Sequence, residues 1–362
     1  MKTTQESVSK EVKILTSIPS QNQHHLAQHT MLSWKLPRQL SINQVPQVFR
    51  EQGILFGYRH PRSSAADCLL SVFQMTNETL NIWTHFLPAW YFLWKLFALA
   101  YSLDVWNDTY AWPFLAYMLT CCIYPFTSSC AHTFSTMSIQ ARHICYFFDY
   151  GALSMYSLGS AIAYSTYVFP EEWINSTFHH CYVPIAVFNT VISTGLSCYS
   201  RFLETKQPRL SKTLRTLAFA YPYVFDSTPL FYRLYLCTGE SCMESVIPVH
   251  YKHCAFAFLT CFIFTAHLPE RLAPGCFDYI GHSHQLFHVC GIIGTHFQME
   301  AIFIDMKARH DWLLASSPLL SFSQTVGSIG ISIIINLTII AAFSLALYSR
   351  PKSSRKEKLH RH

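Results

Sequence analysis

Charge is scarce in this chain. Asp, Glu, Lys and Arg make up 13% of its 362 residues, about half the share of an ordinary soluble domain. That shortage argues against the two soluble domains its length would otherwise suggest. No CxxC pair occurs, and the 13 cysteines do not form a secreted disulfide framework. Cys121, Cys122, Cys130, Cys254 and Cys261 fall in apolar segments, where a reduced thiol packs as a small hydrophobe. Cys237 and Cys242 are placed to pair if their loop is extracellular. The polar stretch before residue 73 lacks the apolar core of a signal peptide. An internal repeat is also missing, which tells against a transporter.

Apolar residues are plentiful: 51% of the chain is hydrophobic and 15% aromatic. Eight apolar spans are expected, at about 82–103, 110–131, 144–169, 182–199, 214–236, 252–268, 284–304 and 326–348. Each approaches the roughly 20 residues that a helix needs to cross the hydrocarbon core. The last has no charge at all. The seventh carries His284, His288, His296 and Glu300. The expected fold class is therefore an all-α integral membrane protein with short connections between neighbouring helices. Pro222 and Pro229 should kink the fifth span and free backbone carbonyls.

Lys and Arg set the orientation. They gather before the first span (Arg50, Arg59, Arg62), after the fourth (Arg201, Lys206, Arg209) and in the tail (Arg350, Lys352, Arg355). The alternate loops hold few. Both termini are thus expected in the cytosol, which excludes the outside N-terminus and odd span number of an ordinary G-protein-coupled receptor. The sequons at Asn107 and Asn175 fall on the outer side. The net charge of +6 suits an anionic cytoplasmic leaflet more than nucleic acid.

Topology brings four separated pieces to one depth. Ser128 and His132 end span two, Asp149 follows the start of span three, and His284 and His288 begin span seven. Residues four apart share a helix face. A lone membrane histidine is ordinarily a hydrogen-bonded bundle residue, and an HxxxH alone does not define a metal site. Three histidines at matched depth beside a carboxylate form a candidate zinc centre with one open position. Asp149 would act there as general base and Ser128 as hydrogen-bond donor to a developing oxyanion. The same site can equally be structural, tying three spans together.

Two further groups stand out. Glu78, Asn81 and His85 share one face at the start of span one, either as a polar helix entry or as part of a catalytic site. Asp226 lies too deep in span five to face lipid. Arg233, seven residues on, is positioned for an ion pair with it or for ligand contact.

These residues carry a resemblance. QMTNETLNIWTHFLP, the SxxxH at Ser128–His132, FFDYGALS around Asp149, and PERLAPGCFD followed by SHQLFHV resemble the progestin and adipoQ receptor family. The similarity runs from about Pro46 through span seven. The AYPYVFDSTPLFYRLY segment and the eighth span resemble its membrane progestin receptor branch. The resemblance implies a cytosolic N-terminal region to about residue 75, a seven-helix core at 76–305 and an additional helix at 326–348 before a basic tail. It implies zinc on His132, His284 and His288, with Ser128 and Asp149 as accompanying polar positions. It further implies a multi-pass receptor, expected at the plasma membrane, that binds progestins such as progesterone in rapid non-nuclear signalling. A ceramidase-like hydrolase acting on ceramide or a related lipid is the alternative that the same family implies.

Overall fold

The computed structural model describes residues 38–103, 108–237, 245–316 and 323–349. Asn107, Cys242 and the basic tail lie outside them; Cys237 is disulfide-bonded. Eleven α-helices account for most of the described chain. A short α1 (Ala65–Ser71) precedes the long helices α2 (Thr79–Ser102), α3 (Trp112–Phe134), α4 (Ile139–Tyr167) and α5 (Thr177–Leu203). Then come α6 (Pro208–Asp226), α7 (Thr228–Leu236), α8 (Ile247–Ala266) and α9 (Ser283–Ala308). A short α10 (His310–Ser316) and α11 (Ser328–Ser349) complete the set. Among the described residues the extended backbone pairs only at one isolated bridge, Leu40 with Tyr58.

Helix starts follow local chemistry. Ser138 and Ser176 accept hydrogen bonds from Ala141 N–H and His179 N–H, capping α4 and α5. The Thr76 hydroxyl accepts from Glu78 N–H just before α2. Prolines occupy the first turns of α6, α7 and α8, where the missing N–H costs nothing. The expected fifth span is two helices rather than one kinked helix. Its break falls at Ser227, one residue after α6 ends, with Pro229 in the first turn of α7.

The long helices close into a ring. Neighbours in sequence pack in order from α2 to α6, α6 touches α8, α8 packs along α9, and α9 returns to α2. Helix α4 reaches beyond its neighbours to α6, α9 and α11, so it fills the bundle interior. That close fit requires glycine at 159, where a Cβ would stand 2.5 Å from Thr120 Oγ1 on α3. Inside the ring, Gln298 of α9 accepts hydrogen bonds from Tyr117 and Tyr156 and donates to Tyr164. Helix α11 lies against α4 and α5 outside the ring, burying Ser332, Asn336 and Ile340 on one face.

Among the described residues five helices are long and apolar enough to cross a membrane: α3 and α11, each with its flanking turn, and α5, α8 and α9. Of the other expected spans, α2, α4 and α6 fall short by composition and the nine-residue α7 by length. Helix α4 holds Arg142, His143, Asp149 and a run of buried Ser, Gly and Tyr. A helix surrounded by protein need not be apolar to lipid, which is why hydropathy misses it.

The polar segment before α2 packs on itself. Residues 40–58 fold back on themselves around Val45, Phe49, Ile54 and Tyr58. Gly53 there has φ +82°, and a Cβ would stand 2.7 Å from the Glu270 carbonyl. The segment is thereby locked to the loop that leads into α9.

Candidate metal centre

Helices α3 and α9 place their histidines at the same end of the bundle. The ligand atoms of His132, His284 and His288 all lie within 4.8 Å of one another. His132 Nε2 and His284 Nε2 stand 3.2 Å apart. His132 and His288 are almost fully buried, at 1% and 2% exposure.

The far sides of the rings are held. Glu78 Oε2 sits 2.8 Å from His132 Nδ1 and also accepts from Asn81 Nδ2 at 2.8 Å. A carboxylate is an acceptor, so the proton belongs on Nδ1 and the Nε2 lone pair faces inward. His288 Nδ1 lies 3.2 Å from the Asn81 carbonyl and 3.2 Å from Thr84 Oγ1. The carbonyl fixes the same tautomer, again leaving Nε2 as the inward lone pair. His85 stacks on His288 with centroids 3.6 Å apart. Two imidazole lone pairs pointed into one buried space repel unless a cation lies between them. This donor set fits a metal ion.

A layer of further contacts fixes these elements. Arg59 is buried and donates to the carbonyls of His132 and Thr133 and to Ser71 Oγ. It thus satisfies carbonyls at the end of α3 that the helix leaves open. Glu270 accepts from the Ser283 backbone N–H at 2.7 Å and from the Ser283 hydroxyl. That fixes the start of α9 one residue before His284. Burial pushes the Glu270 carboxyl up, but hydrogen bonds from His267 and Ser283 outweigh it and hold the pKa at about 2. Asp278 accepts from Leu55 N–H and Phe56 N–H. The two acids of PERLAPGCFD therefore position α9 and the N-terminal segment.

Ser128 is buried on the face of α3 that carries His132. Asp149 interacts with both Ser128 and His132. All five residues expected at one depth are thus brought together. Asp226 and Arg233 are not part of this group. The ion pair between them suggested by their spacing does not form, because the break at Ser227 separates their helices. Asp226 accepts from Ser157, and its backbone carbonyl accepts from Tyr182. Arg233 donates to both carboxylate oxygens of Asp305 at 2.8 Å, and His250 joins them at 2.8 Å. Asp305 is 17 residues beyond His288 on α9, roughly 25 Å along the helix.

Sequence reasoning noted Glu78, Asn81 and His85 on one face but left their role open. Their i, i+3, i+7 spacing was the available signal. Glu270 and Arg59 gave no such signal, since each acts across a long separation in sequence.

A closed ring of apolar helices around a histidine group at one end defines an integral membrane protein with a buried candidate metal centre. The chain belongs to the haemolysin-III-related family, whose model matches residues 73–299. It is 62% identical over 328 residues to membrane progestin receptor gamma of Mus musculus and of Homo sapiens, covering 91% of this chain and 99% of each relative. It is 59% identical over 338 residues to membrane progestin receptor gamma-B of Danio rerio, covering 88% of this chain and 97% of that one. The resemblance to the progestin and adipoQ receptor family, and to its membrane progestin receptor branch, is borne out.

Proposed function

We propose that this protein is a membrane receptor for progestin steroids, with zinc held by His132, His284 and His288. The carrying observation is the 62% identity to membrane progestin receptor gamma over 91% of the chain. Zinc is supported by the donor set. Two nitrogens about 2.0–2.1 Å from one tetrahedral zinc stand roughly 3.3 Å apart, close to the 3.2 Å between His132 Nε2 and His284 Nε2. The histidine end is assigned to the cytosol, with both termini there, from the distribution of Lys and Arg. Residues 76–305 are assigned as the core, and the plasma membrane as the location. Membranes containing the protein should bind radiolabelled progesterone saturably and hold about one zinc per chain. Saturable binding absent from well-expressed, zinc-loaded protein refutes the receptor reading.

A second reading rests on Asp149 and Ser128 beside His132. A bound zinc would supply an activated water near neutral pH. Asp149 would accept the proton of that water, and Ser128 would donate to the oxygen of a lipid amide such as ceramide. Asp149→Asn should abolish any ceramide turnover while leaving progestin binding within about twofold. Asp226→Ala should weaken steroid binding without removing zinc if α6 lines the ligand cavity. Ceramide turnover equal in the wild type and Asp149→Asn rules out the hydrolase role for Asp149.

A further inference from the structure

At the histidine end of the bundle a second polar cluster lies one aromatic ring away from the metal centre. That ring is Tyr146 of α4, which meets His132 edge-on with centroids 5.7 Å apart. Two guanidiniums lie against the same ring, Arg201 of α5 at 4.5 Å and Arg142 of α4 at 5.2 Å from its centre. Arg215 of α6 completes the group, 5.6 Å from the centre of the Tyr150 ring. Two carboxylates answer the three cations directly. Arg201 Nη1 donates to Glu204 Oε1 at 2.7 Å, and Arg215 Nη2 stands 3.7 Å from the same oxygen. Arg142 Nη2 donates to Glu51 of the N-terminal segment at 2.7 Å. Asp149 also acts on Arg201 electrostatically, but its hydrogen bond is with Ser128 on the metal side.

These contacts leave much of the donor set unused. Arg142 and Arg201 are each only 4% exposed. Among the described residues no acceptor meets the buried Arg201 Nε, Arg201 Nη2 or Arg142 Nε. Nε carries one hydrogen and Nη2 two, so Arg201 holds three buried N–H donors without an acceptor and Arg142 one. An unmet donor on a buried charged group is costly. Stacking on Tyr146 serves the face of a guanidinium and leaves its N–H groups unmet. Nε and Nη2 together form the edge that holds two oxygens side by side. On Arg201 that edge has no acceptor, and on Arg142 it has a single Glu51 oxygen. Glu204 Oε2 is also buried, and no donor reaches it. The unmet set is thus forked donors on two arginines beside one acceptor. A carboxylate or a sulfate brings oxygens but no hydrogen. A phosphate monoester has three terminal oxygens and a second pKa of about 6, so in its monoanionic form one of them carries a hydrogen.

We propose that Arg142, Arg201 and Arg215 form a binding site for a phosphate monoester at this end of the bundle. Its oxygens accept from the Nε–Nη2 edge of Arg201 and from Arg142 Nε, and its O–H donates to Glu204 Oε2. Glu51, whose side chain is 48% exposed, holds the outer nitrogen of Arg142 and is displaced as the phosphate enters. Arg215 adds charge beside Glu204. The monoester belongs either to the headgroup of a phosphorylated lipid in the adjoining leaflet or to a soluble phosphate. The lipid source rests on the cytosolic assignment of the histidine end; the anion chemistry rests on neither the receptor reading nor the zinc reading.

The test uses the full-length protein in phosphatidylcholine nanodiscs at constant ionic strength and about pH 6.5, close to the second phosphate pKa. One arm titrates inorganic phosphate, with sulfate as its control. The other adds a phosphatidylinositol monophosphate to the nanodiscs, with phosphatidylserine at matched charge as its control. Thermal melting reads stabilisation, and native mass spectrometry counts retained lipid. At least one phosphate probe should stabilise the protein saturably, with its control at least about tenfold weaker. Stabilisation by the lipid alone assigns a headgroup, and stabilisation by inorganic phosphate assigns a soluble ligand. Arg201→Lys keeps the charge but loses the two-oxygen edge and should weaken binding about tenfold, the loss of about one charge-assisted hydrogen bond. Glu51→Gln removes the competing carboxylate from an exposed side chain and should tighten binding severalfold, which tests the site even where Arg201→Lys fails to fold. Absence of saturable stabilisation by either phosphate probe overturns the proposal. So does an equal response to the controls, or an affinity unchanged in Glu51→Gln.

Discussion

The Glu78–His132 contact gives the sharpest test of the metal centre. Glu78 Oε2 lies 2.8 Å from His132 Nδ1, with the two side chains 7% and 2% exposed. The carboxylate fixes the tautomer and would strengthen the ring as a metal ligand through Nε2. Glu78→Gln keeps the shape and keeps one acceptor oxygen, which Asn81 can still reach. It removes the charge behind the imidazole. Loss of such a carboxylate behind a ligand histidine lowers metal affinity by about 10–100-fold, or roughly 1.4–2.7 kcal/mol. The assay is competition for zinc between purified protein and a chelator of known affinity at pH 7. His132→Ala serves as the reference for losing a ligand outright and should weaken binding further. Wild-type zinc affinity in Glu78→Gln, with zinc still lost in His132→Ala, would refute the idea that Glu78 supports the ligand.

Two other predictions concern the loop into α9. Gly53→Ala should destabilise the protein by more than about 1 kcal/mol, because φ is +82° and the new methyl meets the Glu270 carbonyl; thermal melting in detergent reads this, and an unchanged midpoint refutes the contact. Glu270 has its folded pKa lowered to about 2 from 4.5. Its stabilisation is therefore present above pH 4.5 and lost as pH falls toward 2, amounting to up to about 3 kcal/mol. Glu270→Gln should be less stable than the wild type at pH 6, with the gap narrowing below pH 4.5; a gap independent of pH counts against the carboxylate.

Much of the helical frame was legible because apolar spans of membrane length are long and repetitive signals. The depth of His132, His284 and His288 was legible because topology alternates. Hydropathy missed α4, whose surroundings are protein and whose buried face is built of Ser, Gly and Tyr. The break at Ser227 was foreshadowed by Pro222 and Pro229, but not its position. The partner of Arg233 was illegible. Spacing along one helix offered Asp226, whereas the ring brings Asp305 from α9. The folding of residues 40–58 was hidden for the same reason, since its anchors, Glu270 and Asp278, are more than 200 residues away.

Ring closure by α2 and α9 has a consequence for biosynthesis. The ribosome delivers His132 long before its partner His284, which lies 152 residues later. At about 5–20 residues per second, that gap lasts roughly 8–30 s. Throughout it, Glu78 and His132 can already pair within the membrane, while the three-histidine group is incomplete. Only the arrival of α9 supplies the last two nitrogens and the final seam. Metal capture would then report that the barrel of helices has been translated through to its closing member, giving the cell a chemical criterion for a finished core before the C-terminal helix docks outside it.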